Sequence, residues 1–204
     1  TEIAWPARVG EAALCLWHDD RLAALSITID DNCAPDIPWW REKAAAHDFR
    51  ATWFVITGRI SGRASRAWGT WEQFQALVDE GHAVESHTVA HLHMDEPQPD
   101  GSPWTIDWEY AGALEHLRKH LPSARSATLA YPGGANKAHN RRDLAATLYR
   151  AARGGAGTAN QANRIDYLAI NGMSGFNIGR PSQPWADLNG LVDRSVYGPR
   201  SYRG

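Results

Sequence analysis

The stretch TIDDN sets two carboxylates, Asp30 and Asp31, side by side, and HTVAH sets His87 and His91 at positions i and i+4, with His93 just beyond. Adjacent carboxylates repel unless a cation or a shared proton relieves them. An i, i+4 pair of imidazoles lies on one side of a helical turn, which is how a metal takes two ligands from one short segment. Asp31, His87 and His91 thus offer two imidazoles and one carboxylate, leaving coordination positions for water and substrate. Taken separately, the acid pair also reads as a turn or helix cap, and the His pair as unrelated surface residues. A non-haem iron oxygenase uses the same ligand types, but its two sequence-near ligands are typically a His and a carboxylate. The third stretch is AYPGG, Ala130 to Gly134. Pro132 fixes the backbone and the glycines permit close approach, so an N–H such as that of Gly133 can face a developing oxyanion, although a plain turn fits too.

These stretches must be positioned by regular elements. LAALSITID, from Leu22 to Asp30, alternates Leu25, Ile27 and Ile29 with Ser26, Thr28 and Asp30, the period of a strand, and directs Asp30 away from the face that packs on helices. A helix is expected from Pro38 to about Asp48, a strand over Arg50–Ile56, and a capping-box helix over 71–80 between Thr70 and Gly81. A short strand follows over His82–Thr88. Asp107 is the expected N-cap of a helix that Pro122 stops, and Ala127–Pro132 is the next strand. RRDLAATLYRA and ADLNGLVDRSVYG read as helices, and AARGG and YLAIN as short strands. Strands alternating with helices imply a parallel sheet, either a barrel or an open doubly wound sheet, with ligands at the C-terminal strand ends. All three stretches fall there. With no internal repeat or linker, one domain over 1–204 is expected, its core at about 22–204 after an N-terminal extension at 1–21.

Composition narrows the partners. The 204 residues carry 21 Lys plus Arg against 23 Asp plus Glu, a net charge of −2, which gives no reason to expect nucleic acid or an acidic membrane. With 43% hydrophobic and 22% charged residues the chain is neither disordered nor a disulfide scaffold as a whole. No apolar run approaches the roughly 20 residues that cross a bilayer. Ten Trp are many for this length and suit flat sugar-stacking platforms as well as core filling. Trp39, Trp40, Trp68, Trp71 and Trp108 fall near expected loops, as does the segment from His93 to Trp104. Cys15 and Cys33 are either a pair or two buried thiols.

In this order and spacing, the three stretches resemble the carbohydrate esterase family 4 polysaccharide deacetylases, the NodB-homology domain. TIDDN looks like that family's first motif, HTVAH like its second, and AYPGG like a variant of its third; FRATWFV and EGHAVESHT look like its second and third strands. The resemblance runs from about Leu22 to about Arg153. It implies a distorted (β/α) barrel and a metal-dependent hydrolase that removes acetyl groups from amino sugars or xylose units of a glycan. In it, Asp30 would be the general base, Asp31, His87 and His91 would hold one divalent ion, commonly zinc, and Thr88 would brace the His loop. The Gly133 N–H would stabilise the oxyanion, with Tyr131 and Pro132 beside the substrate. Water activated by the ion attacks the acyl carbonyl while Asp30 takes its proton. A polymeric glycan would require a secreted or cell-envelope protein.

The sequence departs from the family at four places. Asn32 replaces a Gly, Ala130 stands where an Arg often pairs with the base, and Gly133 replaces an aromatic residue. The late Leu-x-His motif, whose His protonates the leaving group, has no match before Gly204. Either the chain stops one strand short of that His, or His18, His93 or a water substitutes, or activity is lost. The alternatives are a non-catalytic sugar-binding domain and a small-molecule amidohydrolase of the same fold.

Overall fold

The computed structural model describes residues 17, 24–60, 67–91, 101, 105, 107–134, 141–154, 160 and 164–172. The chain divides into two compact units. In the first, Ser26–Ala156 with Asp166–Ile170, five strands form one all-parallel sheet: β1 (Thr28–Asp30), β2 (Thr52–Val55), β3 (Ala83–Ser86), β4 (Thr128–Ala130) and β5 (Ala151–Arg153). Parallel neighbours need a crossover, and α1 (Asp36–Ala46), α2 (Trp71–Asp79), α3 (Ala113–His120) and α4 (Arg142–Leu148) each supply one. Strand order follows chain order, as in a barrel; a doubly wound sheet would reverse at a switch point. The expected distorted (β/α) barrel is therefore the observed fold class.

Beyond β5 the ladder continues through one residue. Ile170 bridges in parallel to Arg153, its N–H donating to Ala152 at 2.9 Å and its carbonyl accepting from Gly154 at 3.1 Å. The expected strand over 167–171 shrinks to this bridge because a turn, closed by Ala169 N–H on the Asp166 carbonyl, takes its first half. The helix expected over 186–198 lies outside the described residues, as do His18, His93 and Cys15. In the second unit, the Asn160 carboxamide pairs both ways with the Asn171 backbone, each bond 2.9 Å long.

Alternation along the strands sorts the two faces of the sheet. Ile29, Trp53 and Val84 occupy one register row and pack beneath the helices with Ile37, Phe74, Leu77 and Leu117. Burying each such side chain is worth about 1.5–3 kcal/mol. Asp30, Phe54 and Glu85 occupy the adjoining row and so share the opposite, inner face. Between β3 and β4 only Ser86 and Leu129 are in register. There the buried Glu85 carboxylate replaces ladder bonds by accepting the Ala127 and Thr128 N–H groups, both at 2.8 Å. A second core of Tyr110, Leu129, Tyr131, Ala145, Tyr149 and Ala152 lies against β4 and β5.

The helix starts test the cap assignments. Thr70 and Gln73 form the expected reciprocal capping box on α2, and Gly81 follows that helix at φ 87°. Helix α1 begins at Asp36, two residues before Pro38; within the first turn the missing proline N–H costs no helical bond. Asp107 is not an N-cap, because its backbone is already helical and its side chain caps nothing. Thr105 does that work, its hydroxyl accepting the Trp108 N–H at 3.3 Å. The helix then passes through a π-helical turn, Trp108–Gly112, before α3.

Candidate metal centre and active site

Strand β1 ends in two successive left-handed residues, Asp31 at φ 70° and Asn32 at φ 43°. Asp and Asn tolerate this conformation better than most residues. Asn32 is fully buried, its side-chain Oδ1 accepting the Ile56 N–H at 3.2 Å and its carbonyl the Gly69 N–H at 3.0 Å. The Asn in place of Gly thus ties the β1 turn to the end of β2. The turn leaves the Asp31 carboxylate exposed at the lip, with Asp30 half-buried behind it.

The His loop leaves β3 through Thr88 at φ 66° and ends on His91 at φ 59°. A β-branched residue at positive φ is strained unless its neighbours hold it. The Thr88 carbonyl accepts the Thr57 N–H at 3.0 Å, and its hydroxyl accepts the His91 N–H at 3.0 Å. The His87 and His91 rings meet edge to face with centroids 4.6 Å apart.

His87 is buried, and its Nδ1 lies 2.8 Å from the Ala130 carbonyl. A carbonyl only accepts, so Nδ1 carries the hydrogen and Nε2 keeps its lone pair. Burial pushes the His87 pKa down, against the opposing pull of the Asp30 charge, so the ring is held neutral. That lone pair faces Asp31 Oδ1 at 3.5 Å and Asp30 Oδ2 at 3.9 Å, while His91 Nε2 lies 3.8 Å from Asp31 Oδ1. The ligand atoms of Asp31, His87 and His91 all lie within 4.8 Å of one another. Ligands on a tetrahedral ion bound at about 2.0–2.2 Å sit roughly 3.3 Å apart. The 3.5 and 3.8 Å separations from Asp31 to the two imidazoles are close to that spacing, and all three atoms can offer a lone pair, so these three residues fit a divalent metal.

Of the AYPGG residues, Gly133 is exposed at φ 67°, and its N–H donates to nothing among the described residues. Pro132 is buried beneath the turn. Tyr131, expected beside substrate, instead points into the core: it is 3% exposed, and its ring packs 6.4 Å from that of Tyr110. Strand alternation explains this, since Tyr131 follows Ala130 of the inner face and so turns outward to the helices. Among the expected stacking residues, Trp39 and Trp108 are exposed, Trp40, Trp68 and Trp71 half-buried, and Trp71 stacks on His120.

One residue of the site escaped the sequence. Arg153, at the end of β5, forms an ion pair with the Asp30 carboxylate through Nη2 and lies over the Phe54 ring, 5.1 Å from its centroid. It is the register partner of Ala130, the position where an Arg was missed. The available signal was a basic residue at the C-terminal end of a parallel strand otherwise made of alanine.

Residues 21–152 match the polysaccharide deacetylase family. A gellan lyase from a Bacillus species is 37% identical over 170 residues, 83% of this chain, although the chain spans only 6% of that protein. The Streptococcus pyogenes deacetylase PplD, solved in complex with acetate, superposes with a TM-score of 0.63 at 23% identity, covering 81% of this chain and 69% of PplD. IcaB from Ammonifex degensii gives 0.61 at 15% identity, over 82% and 72% of the two chains. Both structures share the fold, and the sequence match takes in the strands and turns that carry Asp30, Asp31, His87 and His91. Because that match spans more than half of its residues, this chain belongs to the polysaccharide deacetylase family.

Proposed function

We propose that the protein is a metal-dependent deacetylase that removes acetyl groups from a glycan of N-acetyl amino sugar or acetylxylan type, with zinc held by Asp31, His87 and His91. The observation that carries this reading is the convergence of three lone-pair donors beside a carboxylate that is not needed as a ligand. A divalent ion bound there would lower the pKa of water and polarise the acyl carbonyl.

The chain's own residues supply the rest. Asp30 accepts the proton of the attacking water, with Arg153 anchoring its Oδ2. Gly133 is exposed and its N–H donates to nothing among the described residues, so it can donate to the oxygen on which charge develops, and Pro132 fixes the turn that presents it. Thr88 keeps His91 in place through its hydroxyl. Hydrolysis yields acetate and the free amine or hydroxyl of the sugar: of the two water protons, one ends on that leaving group and the other is released to solvent, so that Asp30 can act again. Trp39 and Trp108 are exposed aromatic residues of the kind that stacks on sugars, and a polymeric substrate calls for action outside the cytoplasm or in the cell envelope.

The test is acetate release from acetylated chitooligosaccharides, peptidoglycan and acetylxylan, run alongside metal analysis. Release from at least one substrate, dependent on about one equivalent of divalent metal, is expected. Metal-loaded protein that binds glycan and frees no acetate would instead be a sugar-binding domain.

A further inference from the structure

We propose that Glu109 is a positioning residue for the metal centre: from the π-helical turn before α3 it clamps the His87–His91 loop in its metal-ready shape. The proposal rests on the metal reading of Asp31, His87 and His91 given above. Glu109 is buried, and a single oxygen, Oε2, accepts two successive N–H groups of the loop, Val89 at 2.5 Å and Ala90 at 3.0 Å. Consecutive backbone N–H groups aimed at one anion make a nest, the motif by which loops usually bind free anions. Here the anion is built in.

The clamp acts where the loop is strained. Thr88 and His91, on either side of the two bonded residues, both sit at positive φ. Without a partner, Val89 and Ala90 would be orphan donors in a segment of low intrinsic preference, and unmade buried bonds are costly. The opposite side of the loop is gripped as tightly. Gly58 N–H donates to the Val89 carbonyl at 2.7 Å, and a Cβ on Gly58 would lie 2.6 Å from that oxygen. On the Glu109 side, a Cβ on Gly112 would come within 3.3 Å of the Val89 side chain. The π turn brings Glu109 and Gly112 to the loop together, and an extra residue in a helix is a known device for aiming one side chain. His91 is thereby set opposite Asp31 before any metal arrives.

Zinc affinity is measured by competition with a chromophoric chelator for the wild type, Glu109→Gln, Glu109→Asp and Glu109→Leu, with amide hydrogen exchange on the metal-free wild type. A Gln oxygen can still accept both bonds, whereas Asp withdraws the carboxylate and Leu abolishes it. Affinity should fall about 10–100-fold in Glu109→Leu and Glu109→Asp and stay within about threefold in Glu109→Gln, the scale on which outer partners of metal ligands act. Val89 and Ala90 amides should be protected from exchange without metal. If Glu109→Leu does not fold, Glu109→Asp and the exchange data decide. Unchanged affinity in Glu109→Asp, or rapid exchange at both amides, overturns the proposal. Failure of the wild type to take up zinc would overturn the metal reading and this proposal with it, whereas zinc uptake with unaltered Glu109→Asp affinity overturns only the clamp.

Discussion

Arg153 and Asp30 belong to opposite edges of the five-stranded sheet, yet their side chains form an ion pair. Strands lie about 4.8 Å apart, so a flat sheet would separate β1 and β5 by roughly 19 Å. No arginine reaches that far, so the contact requires the sheet to curl until its two edges face each other. Ala130 beside Arg153 has only a methyl group on the inner face, which leaves the guanidinium room to cross. The pair therefore ties barrel curvature to the orientation of Asp30, the proposed base.

Replacing Arg153 should loosen that orientation more than it weakens substrate binding. Arg153→Ala is expected to lower kcat for acetate release by about 10–100-fold, with a smaller change in KM, because misplacement of about 1 Å costs on that order. Arg153→Lys, which keeps the charge but loses the planar fork, should recover part of the loss. Steady-state kinetics on the same acetylated substrate measures both; a change confined to KM would mean that Arg153 contacts substrate rather than Asp30.

Asp30 and His87 should separate catalysis from metal binding. Asp30→Asn removes the proposed proton acceptor and leaves the three proposed ligands, so acetate release should fall about 10²–10⁴-fold while metal content is unchanged. His87→Ala should lose both, since it removes a proposed ligand whose tautomer is already fixed by the Ala130 carbonyl. Metal analysis beside the activity assay distinguishes the two. Full activity in either variant contradicts the roles proposed for them.

Much of this site could be read from local sequence. The Thr28–Asp30 end of the first strand's alternation, the His87 and His91 spacing and the Thr70–Gln73 box depend on residues near one another in the chain, and the structure keeps each. Residues 24–27 of the expected strand, by contrast, lie outside β1, and Leu25 is exposed instead of packed. What could not be read depends on distance or on competition between neighbours. Arg153 reaches Asp30 only because the sheet curls, which no local pattern encodes. Thr105 caps the helix instead of Asp107 because the backbone is already helical at Asp107. Glu109 looks like an ordinary charged helix residue until the π turn directs it at Val89 and Ala90.

Asn32 offers a stability test of the first motif. Asn32→Gly keeps the left-handed backbone permissible but deletes the side-chain acceptor of the Ile56 N–H, in a buried part of the chain. An unpaired buried donor costs about 1–3 kcal/mol, so urea unfolding of the metal-free variant should show a loss of that size. A loss below about 0.5 kcal/mol would mean that water or a backbone shift satisfies Ile56.

His82 should make the metal-free protein sensitive to mild acid. Its Nδ1 accepts the Ala51 N–H at 3.0 Å in the core, a bond that needs the neutral ring. Burial lowers its pKa, with the Glu80 charge opposing. With the folded value below the unfolded value of about 6.5, the unfolded chain binds more protons between the two. Stability is then complete above about pH 6.5 and falls as pH drops toward the depressed folded value. His82→Asn puts an amide oxygen where Nδ1 was and does not titrate. Between about pH 7.5 and about pH 5, the Tm of the wild type should fall further than that of the variant. His87 and His116, whose pKa values are also lowered by burial, remain in both proteins, so the difference isolates His82. Parallel falls in the two proteins would remove His82 as the source of the acid sensitivity.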